Sequence, residues 1–510
     1  MSSGKILGGD SAVNGLVWIT GAEEEYDAYE TLGSPGWNWH NMHQCLVKAE
    51  KLNMPSDALV DQFGFVVEPS SHGSSGPVEI SFPQYLPIQH TKLVEACVEL
   101  GHPFNRDPYS GNNTGVYYSL SSQTTNPIPT RETSEFAYLT PNLSANNLTV
   151  LSNATATRLV LKTSNSLVKA TGVEFISPDG TSYTAKVHSH GEVILSAGTM
   201  RTPQLLELSG IGDRDVLEPL GIDVKLDLKG VGANFEDQSL TILTYQLKDG
   251  YLSYDALGYN ETLVAEQQAL YEQQGKGWFT FAQGVGDMSS AQTVLTDNEL
   301  AEAAQILATK PDIIPEDQFN VIKGNVLNGL PQAEYILFNS FSGGENKQPN
   351  TSYISLAVTH LHPLSRGSIH INSTSIHDHP IIDPKLLSTE WDAWFLAKAT
   401  AYGRKIMQTK AFGEILEEGE IWPGANTSTT DQWTEFVRKT VNTGYHPIGT
   451  ASMLPLEKNG VVAANLLVYG TSNIRVADAS IAPTHISAHT QTLAYTIGEK
   501  AAVIIKGTSC

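Results

Sequence analysis

Two histidines near the C-terminal end, His446 and His489, lie 43 residues apart in unlike settings. His446 sits in Gly-Tyr-His-Pro-Ile-Gly-Thr, just after an amphipathic run from Asp431 to Val441. His489 ends Ala-Pro-Thr-His-Ile-Ser-Ala-His and precedes an apolar helical pattern that closes on Gly-Glu-Lys-Ala-Ala. A pair of imidazoles titrating near neutrality can take a hydroxyl proton and hold the alkoxide that results. A single histidine is more often a satisfied core or surface residue. Two of them, each in a Gly- or Pro-punctuated turn beside helical sequence, shift the balance towards chemistry. His485 stands four residues before His489 and would suggest a metal pair on a helix. Pro483 argues against that helix, so His485 reads as a bystander.

Three further stretches carry chemistry beside a bland reading. In Gly8-Gly9-Asp10-Ser11-Ala12-Val13-Asn14-Gly15, adjacent glycines let a ligand approach the backbone and Asn14 can donate to it. A tight turn with a local Asn cap would look the same. Glu192–Gly198 reads as a buried strand ending in a glycine turn. A helix is predicted to follow, with Thr202 as N-cap and Pro203 at its first position. That order frees backbone N–H groups for a phosphate or a cofactor edge. Asp478 closes a short strand, where open α/β sheets bind ligands. It could bond a ribose or ribityl hydroxyl, or merely cap the next turn. Gly230–Gln238, with Asn234 and Asp237, is a weaker glycine turn of the same kind.

The elements that would position these residues read coarsely. Residues 5–20 suggest a glycine turn and then a helix or buried segment over Ala12–Thr20. Asn147–Leu161 and Val168–Ser177 alternate like neighbouring strands. Short strands begin at Ser368, and a long helix is predicted over Trp391–Thr409. The middle, from Ser239 to Val358, reads as less regular and carries no identifiable chemistry.

At 510 residues, two domains is the default expectation. The net charge of −23 argues against nucleic acid as a partner, and no run approaches the roughly 18 apolar residues of a membrane helix. With only Cys45, Cys97 and Cys510, disulfides are not the framework; a Cys45–Cys97 bridge could form in an oxidising compartment, but nothing in the spacing selects it. Asn112, Asn142, Asn147, Asn153, Asn260, Asn350, Asn372 and Asn426 head Asn-x-Ser/Thr sites, roughly twice the number chance would place. They lean towards secretion, although no signal peptide is visible.

Taken in order, these motifs resemble the glucose-methanol-choline (GMC) oxidoreductases, especially the fungal glucose oxidase and aryl-alcohol oxidase branch. Gly8–Asn14 resembles the family's first signature and Ser196–Gly212 its second. Ser365–Asn372 with Ile382-Asp-Pro, His446-Pro, and Asp478 to His489 resemble its C-terminal region. The resemblance implies an α/β fold: an FAD-binding, Rossmann-like domain, incomplete at its N-terminus, plus an α+β substrate domain with an antiparallel sheet. It divides the chain at 1–238, 239–364 and 365–510. It implies oxidation of a primary alcohol to an aldehyde, with oxygen or another electron acceptor as co-substrate. His446 would be the base as hydride leaves for flavin N5, and His489 would steady the alkoxide. Gly9, Ser11, Asn14, Ala156, Asp478, Ala479 and Thr490 would hold FAD.

Three departures qualify that mapping. Val13 stands where some members carry a histidine linked covalently to FAD, so noncovalent FAD is expected. Gln238 stands where the family usually has histidine. The chain begins at the first signature, and none of its Gly-x-Gly pairs, at Gly210, Gly230, Gly275 and Gly284, extends to Gly-x-Gly-x-x-Gly. The expectation is therefore a shortened form of a longer, extracellular protein. Alternatives are a lyase or cyclase on the same scaffold, or a truncated form unable to hold FAD.

Overall fold

The computed structural model describes residues 3–164 and 166–510. Near the start, the buried-segment option is realised over Val17–Thr20, while residues 9–12 form one 3-10 turn. Positive φ at Gly8 and Gly9 and the exposed Val13 leave no helix there. Helix α1 (Trp39–Ala49) is capped by the Asn38 side chain, which accepts from Asn41 N–H. Strand β1 (Gly115–Tyr118) follows. An antiparallel meander comes next: β2 (Thr155–Ser164), β3 (Leu167–Ile176) and β4 (Ser182–Lys186). The pairing begins later than the Asn147 expected, because residues 147–153 are exposed coil.

Strand β5 (Val193–Leu195) leads into helix α2 (Gly198–Leu208). The helix starts four residues before the expected Thr202 cap, and Pro203 lies inside it. Two tertiary contacts explain the shift. The carboxylate of Asp478 accepts from Gly198 N–H at 3.0 Å and from Thr202 Oγ1 at 2.6 Å, so a distant acid caps the helix. Proline cannot donate to the Thr199 carbonyl four residues back, and the Thr450 hydroxyl donates to it instead, at 2.6 Å.

Far from being irregular, the middle of the chain supplies β6 (Ser239–Leu247), β7 (Val285–Ser290), β8 (Pro331–Phe338) and β9 (Tyr353–His360). Helix α3 (Glu390–Met407), strand β10 (Leu416–Trp422), helix α4 (Thr430–Thr440), strand β11 (Asn442–Thr443), strand β12 (Ile474–Val476) and helix α5 (Thr490–Lys506) complete the frame. The seven-stranded antiparallel sheet runs β10-β6-β9-β8-β7-β1, with β11 on β6. Every residue of β7 and β9 is buried, so no polar face alternates with an apolar one. That is why a period-two pattern is hard to read there.

Two hydrophobic cores sit on the two faces of this sheet. Ala333, Tyr335 and Leu337 of β8 join the core that contains Trp391, Phe395 and Leu396 of α3. Ile336, of opposite parity, joins the core containing Leu493 and Ile497 of α5. Since side chains alternate along a strand, Glu334 points to the same side as Ile336. A second, parallel pair joins β5 to β12, with Ile474, Arg475 and Val476 opposite Val193, Ile194 and Leu195. A disulfide joins Cys45 of α1 to Cys510, whereas Cys97 is buried and free; the Cys45–Cys97 option is not realised.

Candidate active site

The structure brings the two histidines together. Their ring centroids are 4.5 Å apart with 41° between planes. His446 hangs on a loop that α4 and β11 deliver to the end of β6. Tyr445 just before it takes a left-handed φ of 61°. The loop is pinned on both sides: Asp237 Oδ1 accepts from His446 N–H at 3.0 Å, and Thr199 Oγ1 of α2 donates to the Pro447 carbonyl at 2.8 Å. The His446 Nδ1 atom lies 2.6 Å from Gln238 Oε1. His489 is the residue that opens α5, and its Nε2 faces both carboxylate oxygens of Glu334 at 3.0 and 3.1 Å. Gln238 and Glu334 are buried, while both imidazoles remain partly accessible.

Electrostatics follow from that burial. Loss of hydration holds the His446 imidazolium well below the usual 6.5, and the neighbouring rings of His489 and His485 lower it further. Burial pushes the carboxyls of Glu236 and Asp237 up to about 7. Glu236 pairs with Arg366 at 3.0 Å. His485 is fully buried, with neither ring nitrogen hydrogen-bonded among the described residues. Among the described residues the one group spaced for a metal is Cys97, His102 and Asp287. There His102 already bonds Asp287 at 2.9 Å and Tyr402 at 2.8 Å.

The remaining expected residues fall into three places. Asn14 lies beside the start of α5, donating to Gln491 Oε1 at 3.0 Å and accepting from Arg131 Nη1 at 2.7 Å. Thr490 is the first residue of α5 and follows His489 directly. Ser11 donates to the Gly8 carbonyl at 2.6 Å and accepts from Ser134 N–H at 3.0 Å. Gly9, next to it, has open space where a Cβ would stand. Asp478 and Ala479 follow the end of β12, beside Gly198, whose Cβ position is also open. Ala156 lies on β2 opposite Phe175. Glu334 was not anticipated. The available signal was one acid inside the apolar run Ala333-Glu-Tyr-Ile-Leu337.

The residues present fit an FAD at two points. The space over the Gly9 and Gly198 backbone is open, the latter at the carboxyl ends of the parallel strands, where α/β sheets take ligands. The partly accessible His489 is followed directly by Thr490, and Asn14 is tied to the same helix start through Gln491.

Comparison with known proteins gives the same picture over nearly the whole length. Residues 1–240 and 363–498 match the N-terminal and C-terminal models of the GMC oxidoreductases. A dehydrogenase of Armillaria gallica is 32% identical over 519 residues, covering 99% of this chain and 80% of that protein. An FAD-dependent oxidoreductase from Chaetomium thermophilum superposes with a TM-score of 0.90 at 29% identity, covering 99% and 86% of the two chains. A fungal aryl-alcohol oxidase superposes at 0.86 with 27% identity, again over 99% and 86%. GMC oxidoreductases are FAD-dependent, as the Chaetomium thermophilum neighbour is. The paired imidazoles, the two-core sheet and both family matches make this chain a member of the GMC oxidoreductase family, with its α/β fold of FAD-binding and substrate domains.

Proposed function

We propose that this protein oxidises a primary alcohol to an aldehyde. The observation that carries the reading is the imidazole pair, 4.5 Å apart, with each ring held from behind by a different buried side chain. His446, kept neutral by its surroundings, takes the hydroxyl proton. His489, anchored on Glu334 through Nε2, hydrogen-bonds the same oxygen and steadies the charge that develops there. FAD, when bound, supplies the acceptor for the hydride that leaves the carbinol carbon.

Asn14 and Thr490 would hold that cofactor near the histidines, Gly9 and Ser11 at the first turn, and Asp478 and Ala479 at the parallel pair. Ala156 would lie by the adenine. Val13 is an exposed aliphatic residue with no ring nitrogen to form a covalent link, which supports noncovalent binding. Residues 1–238, mostly, and the returning segment of 365–510 would form the cofactor domain; part of 1–238 would join 239–364 in the substrate domain. Oxygen or another acceptor would take the electrons onward.

The same reading places the protein outside the cell. Seven of the eight Asn-x-Ser/Thr asparagines are exposed; Asn260 alone is half-buried, its side chain capping a helix. The Cys45–Cys510 bridge suits an oxidising compartment. No helix among the described residues is long and apolar enough to cross a membrane.

Flavin absorbance of the purified protein, and aldehyde formation coupled to reduction of oxygen or a dye, test the function. His446→Ala is expected to retain flavin and lose aldehyde formation by roughly 10²–10⁴-fold. Unchanged turnover would reject the assigned base. Product formation without reduction of any acceptor would point to a lyase instead.

A further inference from the structure

Gln238 follows Asp237 at the entry to β6 and is fully buried. Its Nε2 lies 3.1 Å from the Ile486 carbonyl and 3.2 Å from the Leu361 carbonyl. Both are obligate acceptors. An amide turned the other way would set its oxygen against two carbonyl oxygens, so the orientation is determined by its neighbours. Those neighbours are themselves held. The Leu361–Ser365 turn hangs on Asp392 of α3, whose carboxylate accepts from the Leu364 and Ser365 N–H groups at 2.8 Å each. Gln238 Oε1 is left facing His446 Nδ1 at 2.6 Å. A carbonyl oxygen can only accept, so Nδ1 must carry the proton.

We propose that Gln238 is a positioning residue that fixes His446 as the Nδ1–H tautomer and so leaves the lone pair on Nε2. Resting on the reading of His446 as the base, the assignment names the atom that takes the proton. The Asp237–Gln238 dipeptide also holds the loop backbone at two points, through Asp237 Oδ1 on the His446 N–H and through the Gln238 carbonyl on the Gly444 N–H at 2.7 Å. The loop is therefore fixed at its backbone and the ring at Nδ1. A neutral amide holds the tautomer without adding a negative charge that would favour the imidazolium. His489, backed by the Glu334 carboxylate, and His485 are the other titratable rings that act on His446. Asp237 and, behind it, Glu236 are the nearby acids.

Ring-nitrogen NMR of the ¹⁵N-histidine-labelled holoprotein tests this, with the His446 signals assigned by their loss in His446→Ala. Near neutral pH the wild-type ring is expected to show a protonated Nδ1 and a bare Nε2. Gln238→Glu puts a carboxylate in the same place and is expected to raise the His446 titration midpoint by about one pH unit or more. The acid limb of the activity profile should follow it. An Nε2–H tautomer in the wild type overturns the proposal, as does a midpoint unmoved in a folded Gln238→Glu. If that variant does not fold, the wild-type spectrum decides alone. An Nδ1–H ring in a protein that oxidises no alcohol sustains the proton placement while removing the base reading.

Discussion

At the scale of residues, two imidazoles with different backing can divide the work on one hydroxyl. His446 has an amide behind it and His489 a carboxylate. Removing the carboxylate charge separates these roles: Glu334→Gln should lower kcat by about two orders of magnitude or more, because a charged partner no longer orients His489. Steady-state kinetics on the purified variant checks this, and wild-type kcat would remove Glu334 from the site. The pH profile tests His446. Since its imidazolium is held below the ordinary 6.5, the neutral form should persist as pH falls through that value. The acid limb of kcat/KM should then lie below pH 6.5; a midpoint at or above it would contradict the neutral base. The sign for stability is opposite to that of a paired histidine. An unfolded chain takes up this proton first, so the contribution to stability is lost as pH drops below the unfolded value. Both histidines and the unusual Gln238 were readable in the sequence, since each stands in a short motif. Glu334 was not, because what makes it a partner is a strand parity and a fold that returns α5 to β8.

At the scale of elements, the unit of β5, glycine turn and α2 shows how tertiary contacts override local capping. Thr202-Pro203 has the local signature of a helix start, yet Asp478 from the end of β12 moves that start back to Gly198. Asp478→Ala should therefore cost about 1–2 kcal/mol, lowering the thermal midpoint by a few degrees in differential scanning fluorimetry. Asp478→Asn, which keeps an acceptor, should cost less; an unchanged midpoint in the alanine variant would mean the cap is idle. This element matters to the site because Thr199 of α2 holds the Pro447 carbonyl beside His446. The strands of the central sheet were illegible for the reason that makes them stable. With both faces buried, and with Gln332, Glu334, Ser355 and Thr359 among the buried positions, neither alternation nor a clean apolar run survives in β8 and β9.

At the scale of the whole molecule, one sheet separates two cores, and α5 carries the site from one to the other. His489 is its N-cap, its apolar face joins the second core, and the chain beyond it returns to α1 through Cys510. That bridge closes nearly the entire chain, its cysteines standing 465 positions apart in sequence. Cys510→Ser is thus expected to destabilise by roughly 2–4 kcal/mol. The unfolding midpoint with and without reductant measures this, and Cys97, buried and free, should leave the wild type with one unreactive thiol until it unfolds. No spacing in the sequence could have chosen Cys45–Cys510 over Cys45–Cys97, because contacts of such separation belong to the fold alone. The alcohol-oxidising pair itself is tested most directly by mixing the flavin-loaded protein anaerobically with a primary alcohol and following loss of oxidised-flavin absorbance. The wild type should bleach fully, and His446→Ala should bleach about 10²–10⁴-fold more slowly. Equal rates in the two proteins would contradict the assignment of His446 as the proton acceptor.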